Sequence, residues 1–297
     1  MNGEAVLQLW STIGCVIIAL AALGAIFRAV RDTTLMAVWC WGLVSVVVVG
    51  AVEIAGAANP AWIATGLGEV IRYAAAAVAF CPVVALLGAK RPQDRAWQLI
   101  VFSFWIVLAL PAWQTLLLRP DRALTVHPIW SWFLVVLVIV GVTNYLPTRF
   151  ALPALLAGAG QLLLVWRELR WSAVQSGPKV DDWLPIAGLA LIALAAAIAA
   201  IRSRWRPKAP RDPLAELWSD FCDSFGVVWG LRVAERVNAT AAQNNSKLRL
   251  TWHGVESATG KSVEPTSDAD LQGLKTSLLP LLGRFVSRAW IDRRRGR

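Results

Sequence analysis

The stretch VLQLWSTIGCVIIALAALGAIF, Val6–Phe27, decides how the rest of the chain is read. It runs for 22 residues without a charge and is followed by Arg28 and Arg31. About 20 apolar residues, rising ~1.5 Å each along a helix, cover the roughly 30 Å hydrocarbon layer of a bilayer. No basic segment precedes the run, and it exceeds the apolar core of a signal peptide, about 7–15 residues. It therefore reads as a retained first span. The arginines after it place the N-terminus outside.

Working outward, six further runs have the same character: Leu35–Ala55, Leu67–Ala89, Gln98–Leu118, Ile129–Leu146, Phe150–Trp166 and Leu184–Ile201. The last three are the shortest, at 17 or 18 residues. The expected fold class is an all-α polytopic membrane protein of about seven transmembrane helices in a bundle, plus a small α+β cytosolic domain. The expected division is a transmembrane domain over 1–201, a basic linker over 202–212 and the small domain over 213–297. Composition agrees, with 57% hydrophobic and only 16% charged residues, where a soluble domain carries about 25% charged. Up to Ile201 the charges cluster between the apolar runs; beyond it the composition becomes ordinary.

Loop charges set the expected orientation. With the N-terminus outside, the inner segments hold eleven basic residues, including Arg202, Arg204, Arg206, Lys208 and Arg211 of the linker. The outer segments hold five. Lysine and arginine on the cytosolic side dominate orientation, so the chain is expected in the inner or plasma membrane, N-out and C-in, with an odd number of spans. Tryptophans such as Trp10, Trp62, Trp97, Trp130 and Trp166 fall near run ends, at headgroup level. Small residues at Ala74–Ala77, Gly158–Gly160 and Ala195–Ala200 allow close helix approach in lipid. Pro82, Pro111 and Pro153 are expected to open helices locally.

In the small domain, Asp212–Pro213 is a helix start, with an N-cap acceptor followed by proline at the first helical position. Leu214, Trp218, Phe221, Phe225 and Val228 then form an apolar stripe at helical spacing. Leu248–Trp252 alternates like a strand. Leu271, Leu274, Leu278, Leu282 and Phe285 predict a second helix, which Pro280 should break or kink.

The residues that could carry chemistry are polar groups inside the apolar runs: Glu53, Glu69, Arg72, Asn144 and Gln161. An ionisable group in the hydrocarbon is costly and points to function by default. Glu69 and Arg72, three apart on one helix face, can pair with each other. Glu53, Glu69 and Arg72 would all lie near the outer surface, either as structural ion pairs or as a site opening outward. His127 falls in the short outer loop before Pro128 and reads as a surface residue. The other histidine, His253, lies beyond the last span, on the opposite side, which argues against a bis-histidine haem and against a histidine-based zinc site. Cys15, Cys40, Cys81 and Cys222 form no CxxC pair. Thr259–Ser262 resembles the end of a P-loop, but Gly254 and Gly260 enclose five residues where the motif needs four. No cofactor is expected. Despite the net charge of +10, no recognition motif points to nucleic acid. The expected partners are the lipid bilayer, whose anionic leaflet would attract the basic linker and tail, and a protein docking through the C-terminal domain.

Three functions remain open on these residues. The first is a non-catalytic subunit or scaffold, motivated by the aromatic helix of the small domain and the lack of a catalytic constellation. The second is a transporter or permease with an outward polar site near Glu53, Glu69 and Arg72. The third is a membrane enzyme acting on lipid-linked substrates through the same cluster.

Overall fold

A computed structural model describes residues 3–63, 65–118, 124–169, 178–205, 213–244, 246–257 and 268–295. All seven apolar runs are helical. Helix α1 (Gly3–Val30) and α2 (Met36–Ala58) are followed by a single turn, α3 (Pro60–Ile63), and then by α4 (Gly66–Val78) and α5 (Cys81–Leu87). Next come α6 (Trp97–Leu108), α7 (Leu110–Leu118), α8 (Pro128–Thr143), α9 (Ala151–Leu164) and α10 (Pro178–Arg204). Four segments are long and apolar enough to cross a membrane: α1, α2, the α4–α5 segment Gly66–Leu87, and Asp182–Arg204 of α10. The pair α6–α7, bent by 54° where Pro111 follows the break, makes a fifth if taken as one span. Helices α8 and α9, at 16 and 14 residues, fall short of the roughly 20 that a straight crossing needs. Seven spans are therefore not reached by helix length alone.

The long helices pack through small residues, as bundles in lipid do. Gly160 of α9 and Gly188 of α10 meet backbone to backbone: a Cβ on Gly160 would lie 2.6 Å from the Gly188 carbonyl oxygen. At the α4–α5 break the freed carbonyls find side-chain donors. Ser45 Oγ donates to the Val78 oxygen (2.9 Å) and Gln161 Nε2 to that of Ala79 (2.7 Å). Gln161 is thereby accounted for as a structural donor.

Beyond the bundle lie α11 (Pro213–Gln243), the antiparallel hairpin β1 (Leu248–Thr251) and β2 (Gly254–Ser257), α12 (Asp268–Leu282) and α13 (Arg288–Arg295). The single strand read from the sequence has a partner three residues on, across a turn where Gly254 takes φ +131°. Helix α12 runs through Pro280 and ends two residues later. The aromatic stripe is buried: Trp218, Phe221 and Phe225 stack along α11, and Phe221 and Phe225 meet Phe285 edge-on. They share one core with Leu274, Leu278 and Leu282, and also with Leu35, Leu86 and Ala89 of the bundle.

That shared core is reinforced by backbone bonds from three linkers. The Thr34 N–H donates to the Phe285 carbonyl, the Arg91 N–H to Arg284 and the Ser287 N–H to the Asp32 carbonyl. Trp229 Nε1 donates to the Leu86 oxygen at 2.9 Å. Asn144 accepts twice, from the Val227 N–H at its carbonyl and from the Val228 N–H at its side chain, both at 2.9 Å. Helix α11 breaks where it meets Asn144, with Gly226 at φ +73°. The linkers α1–α2, α5–α6 and α8–α9 thus gather at one end of the bundle with the C-terminal segment. The residues just after α3, before α8 and after α9 meet at the other end.

Candidate functional site

The candidate site sits at that other end and begins with an ion pair. Gly68 lets the chain fold back tightly after α2, since a Cβ there would lie 2.4 Å from the Trp62 carbonyl oxygen. Thr65 caps α4 by accepting from the Gly68 N–H. This turn brings Arg72 of α4 against Glu53 of α2. Arg72 Nε donates to Glu53 Oε1 at 2.7 Å and Nη2 to Oε2 at 2.5 Å, a bidentate fork. The side chains are 12% and 6% exposed. In so dry a setting each charge is tolerable only because the other is present.

The expected pairing of Arg72 with Glu69 is therefore corrected. Residues three apart on a helix are neighbours but cannot easily form a two-pronged carboxylate–guanidinium contact, whereas Glu53 approaches end-on from the adjacent helix. Glu69 instead faces Arg167 at 3.7 Å, from the segment after α9.

Glu69, Arg72, Arg167 and Glu168 line one polar cavity of about 370 Å³, with Leu124, Thr125 and Val126 from the approach to α8. Arg167 and Glu168 were not singled out from the sequence, where WRELR after an apolar run looks like an ordinary charged loop. The available signal was the glutamate between two arginines directly against Trp166. Glu168 is fixed at its backbone. Its carbonyl accepts from Ser131 Oγ of α8 (2.8 Å) and its N–H donates to the Val165 carbonyl (3.1 Å). Its carboxylate is a different matter: Oε2 is buried and has no hydrogen-bond partner among the described residues. Burial pushes the Glu168 carboxyl up to about 7, and Glu69 nearby adds to the effect, while Arg167 and Arg72 oppose it.

The floor of the site is firm. Tyr73 donates its hydroxyl to the Leu108 carbonyl (3.0 Å) and Trp105 Nε1 donates to that of Ala74 (3.0 Å), tying α4 to α6. One turn inward from Glu53, Val49 joins Leu164 and Leu189 in lining a second, almost wholly apolar cavity of about 240 Å³. A larger apolar hollow of about 410 Å³ adjoins it at the tail end, where Arg149, Asp223 and Arg294 close it.

The other candidate residues lie elsewhere. His127 caps α8, its Nδ1 accepting from the Ile129 N–H at 3.3 Å, and stands outside the polar cavity. Arg202 Nη1 donates to the Arg149 carbonyl. Arg204 is exposed. Arg206, Lys208 and Arg211, like the P-loop-like segment at 259–262, fall outside the described residues. The cysteines are free. Among the described residues no three histidine, cysteine or acidic side chains come together as a metal site would require.

No protein-family profile, curated protein or solved structure matches this chain. The apolar helices fit an integral membrane protein; anything finer rests on the geometry just described.

Proposed function

We propose that this is a seven-span membrane protein of the transporter or permease class, which receives a small charged solute in the cavity lined by Glu69, Arg72, Arg167 and Glu168. The observation that carries the reading is that cavity itself. Four charged side chains from two chain segments converge on one hollow at the end of an apolar bundle, with a third segment, Leu124–Val126, completing the lining. Ionisable groups gathered at the end of an apolar bundle point to function, and Glu168 stands outside the two ion pairs that account for the arginines.

Several features support the accompanying topology, with the cavity outside and the C-terminal segment in the cytosol. Successive linkers alternate between the two ends, which suits seven traverses, with α8 and α9 completed by the turns that follow them. Lys90, Arg232, Arg236 and Arg284 cluster at the tail end. Lys90 is held below the usual lysine range, first by burial and then by those arginines. An anionic leaflet would relieve that crowding.

The scaffold reading draws no support from the aromatic stripe, which lies inside the protein's own core with Leu274 and Leu278. The enzyme reading gains nothing particular from the geometry.

Accessibility tests the proposal. Glu69→Cys and Arg167→Cys, each compared with the parent chain in sealed vesicles of known orientation, are exposed to a membrane-impermeant thiol reagent. Labelling of both from the outer face is expected. Labelling only from the inner face, or none on either, rejects the outward cavity.

A further inference from the structure

We propose that the solute is a small organic cation, an ammonium or a guanidinium, and that it displaces a proton from Glu168 as it binds. The inference rests on the preceding reading and specifies the ligand and its coupling.

Charge bookkeeping within the site leads there. Arg72 is satisfied by Glu53 through two hydrogen bonds, and Arg167 faces Glu69. Each arginine thus has a carboxylate, and Glu168 is left over. Asp182, at the start of α10, adds a further negative charge that acts on Arg72. No additional cation from the described residues enters the cavity. An anion would meet two arginines already engaged, whereas a cation meets a carboxylate whose Oε2 has no hydrogen-bond donor among the described residues.

Geometry makes that carboxylate a receptor and not a floppy surface group. The Glu168 backbone is pinned to α8 and to Val165, and Oε2 faces an interior position without a hydrogen-bond donor. A buried acceptor in that condition is filled by a proton or by a ligand's N–H. Among the described residues the charged groups that act on Glu168 are Arg167 beside it and Arg72 and Glu69 from α4, with Glu53 and Asp182 acting on Arg72. Empty, the site holds the proton. With an N–H cation bound, the carboxylate ionises, the proton leaves to solvent and the net charge of the cavity is unchanged. The balance is one proton out for one monovalent cation in.

Proton and ligand competing for one carboxylate give a defined pH response. Below about pH 7 Glu168 is protonated, so apparent affinity falls about tenfold for each further pH unit; above that value it is level. The experiment uses the full chain in nanodiscs, with ethylammonium and guanidinium chlorides at millimolar concentration as probes and sodium acetate as the anionic control. Binding is followed by calorimetry in two buffers of different ionisation enthalpy, which counts the protons released.

Expected are cation binding, none for acetate, release approaching one proton at about pH 6 and little at about pH 8. Infrared difference spectra should show a protonated carboxyl that disappears over the same interval. Glu168→Gln should lose both the proton release and that signal. Glu168→Asp, which keeps the acid if the glutamine variant fails to fold, should retain proton release with weaker binding. Affinity that is independent of pH, a preference for acetate, no binding of either cation, or an infrared signal persisting in a folded Glu168→Gln protein overturns the inference. If Glu69→Cys and Arg167→Cys are labelled from outside in those cases, the cavity stands and only the cation assignment fails.

Discussion

At Arg72 two glutamates compete for one guanidinium, and the outcome shows how burial selects among partners equivalent in sequence. Glu69 is nearer along the chain, but Glu53 presents both oxygens to the fork. Two aligned hydrogen bonds offset more of the desolvation cost than one oblique contact can. Glu53→Leu alone leaves a buried arginine unpaired and is expected to cost about 3–5 kcal/mol, whereas Glu53→Leu with Arg72→Leu should come close to the parent chain. Thermal unfolding of the two single variants and the double variant in the same detergent completes the cycle. A double variant as unstable as either single one would show that the pair is not the coupled unit described. Glu168 differs in kind, since its buried Oε2 has no hydrogen-bond donor among the described residues and burial raises its carboxyl to about 7.

Among the elements, α11 shows how one residue can divide a helix to serve tertiary contact. A continuous helix would carry Val227 and Val228 past Asn144 without bonding. With Gly226 at φ +73°, the chain turns so that both N–H groups reach Asn144. A side chain at that position is doubly excluded: the conformation is one L-residues avoid, and a Cβ would lie 2.6 Å from the Asn144 carbonyl oxygen. Gly226→Ala is expected to cost at least about 2 kcal/mol. It should loosen the C-terminal segment before the bundle melts. Limited proteolysis would report this as earlier cutting between α11 and α12, and an unchanged pattern with unchanged melting would count against the account. Helices α9 and α10 show the complementary use of glycine, as bare surface for close approach at Gly160 and Gly188.

Considered whole, the molecule has one end where linkers meet the C-terminal segment and another that holds the polar cavity. At the first of these ends the helix α13 is tied back to the first linker by Arg293 and Asp32. The Arg293 hydrogen bond, with Arg31 close by, holds the Asp32 carboxyl below its usual range. A depressed folded value means the stabilisation is complete above the unfolded carboxylate range, about pH 4, and is lost as pH falls through the lower folded value. Asp32→Asn should remove that part of the acid sensitivity while leaving behaviour near neutrality almost unchanged. Unfolding midpoints measured from about pH 2.5 to 7 would check it, and parallel curves for parent and variant would refute it. The cavity end responds in a different interval, because burial moves Glu168 the opposite way.

Residue order determined that this chain builds apolar helices over the seven runs, with most ends placed to within a few residues, although α10 begins at Pro178, before its run. The spacing of apolar residues determined that helices α11 and α12 follow. Those are properties of contiguous sequence, since a helix closes its hydrogen bonds within itself and its solubility in hydrocarbon is a sum over its own residues. The close approach at Gly158 and Gly160 was legible for the same reason. The pairing of Arg72 with Glu53, the enlistment of Arg167 and Glu168, the break at Gly226 and the burial of Trp218, Phe221 and Phe225 against Leu35 and Leu86 were decided only by the tertiary structure. Each of these depends on which distant segments become neighbours, and an ion pair or a cavity is a relation between segments that no single stretch of chain contains.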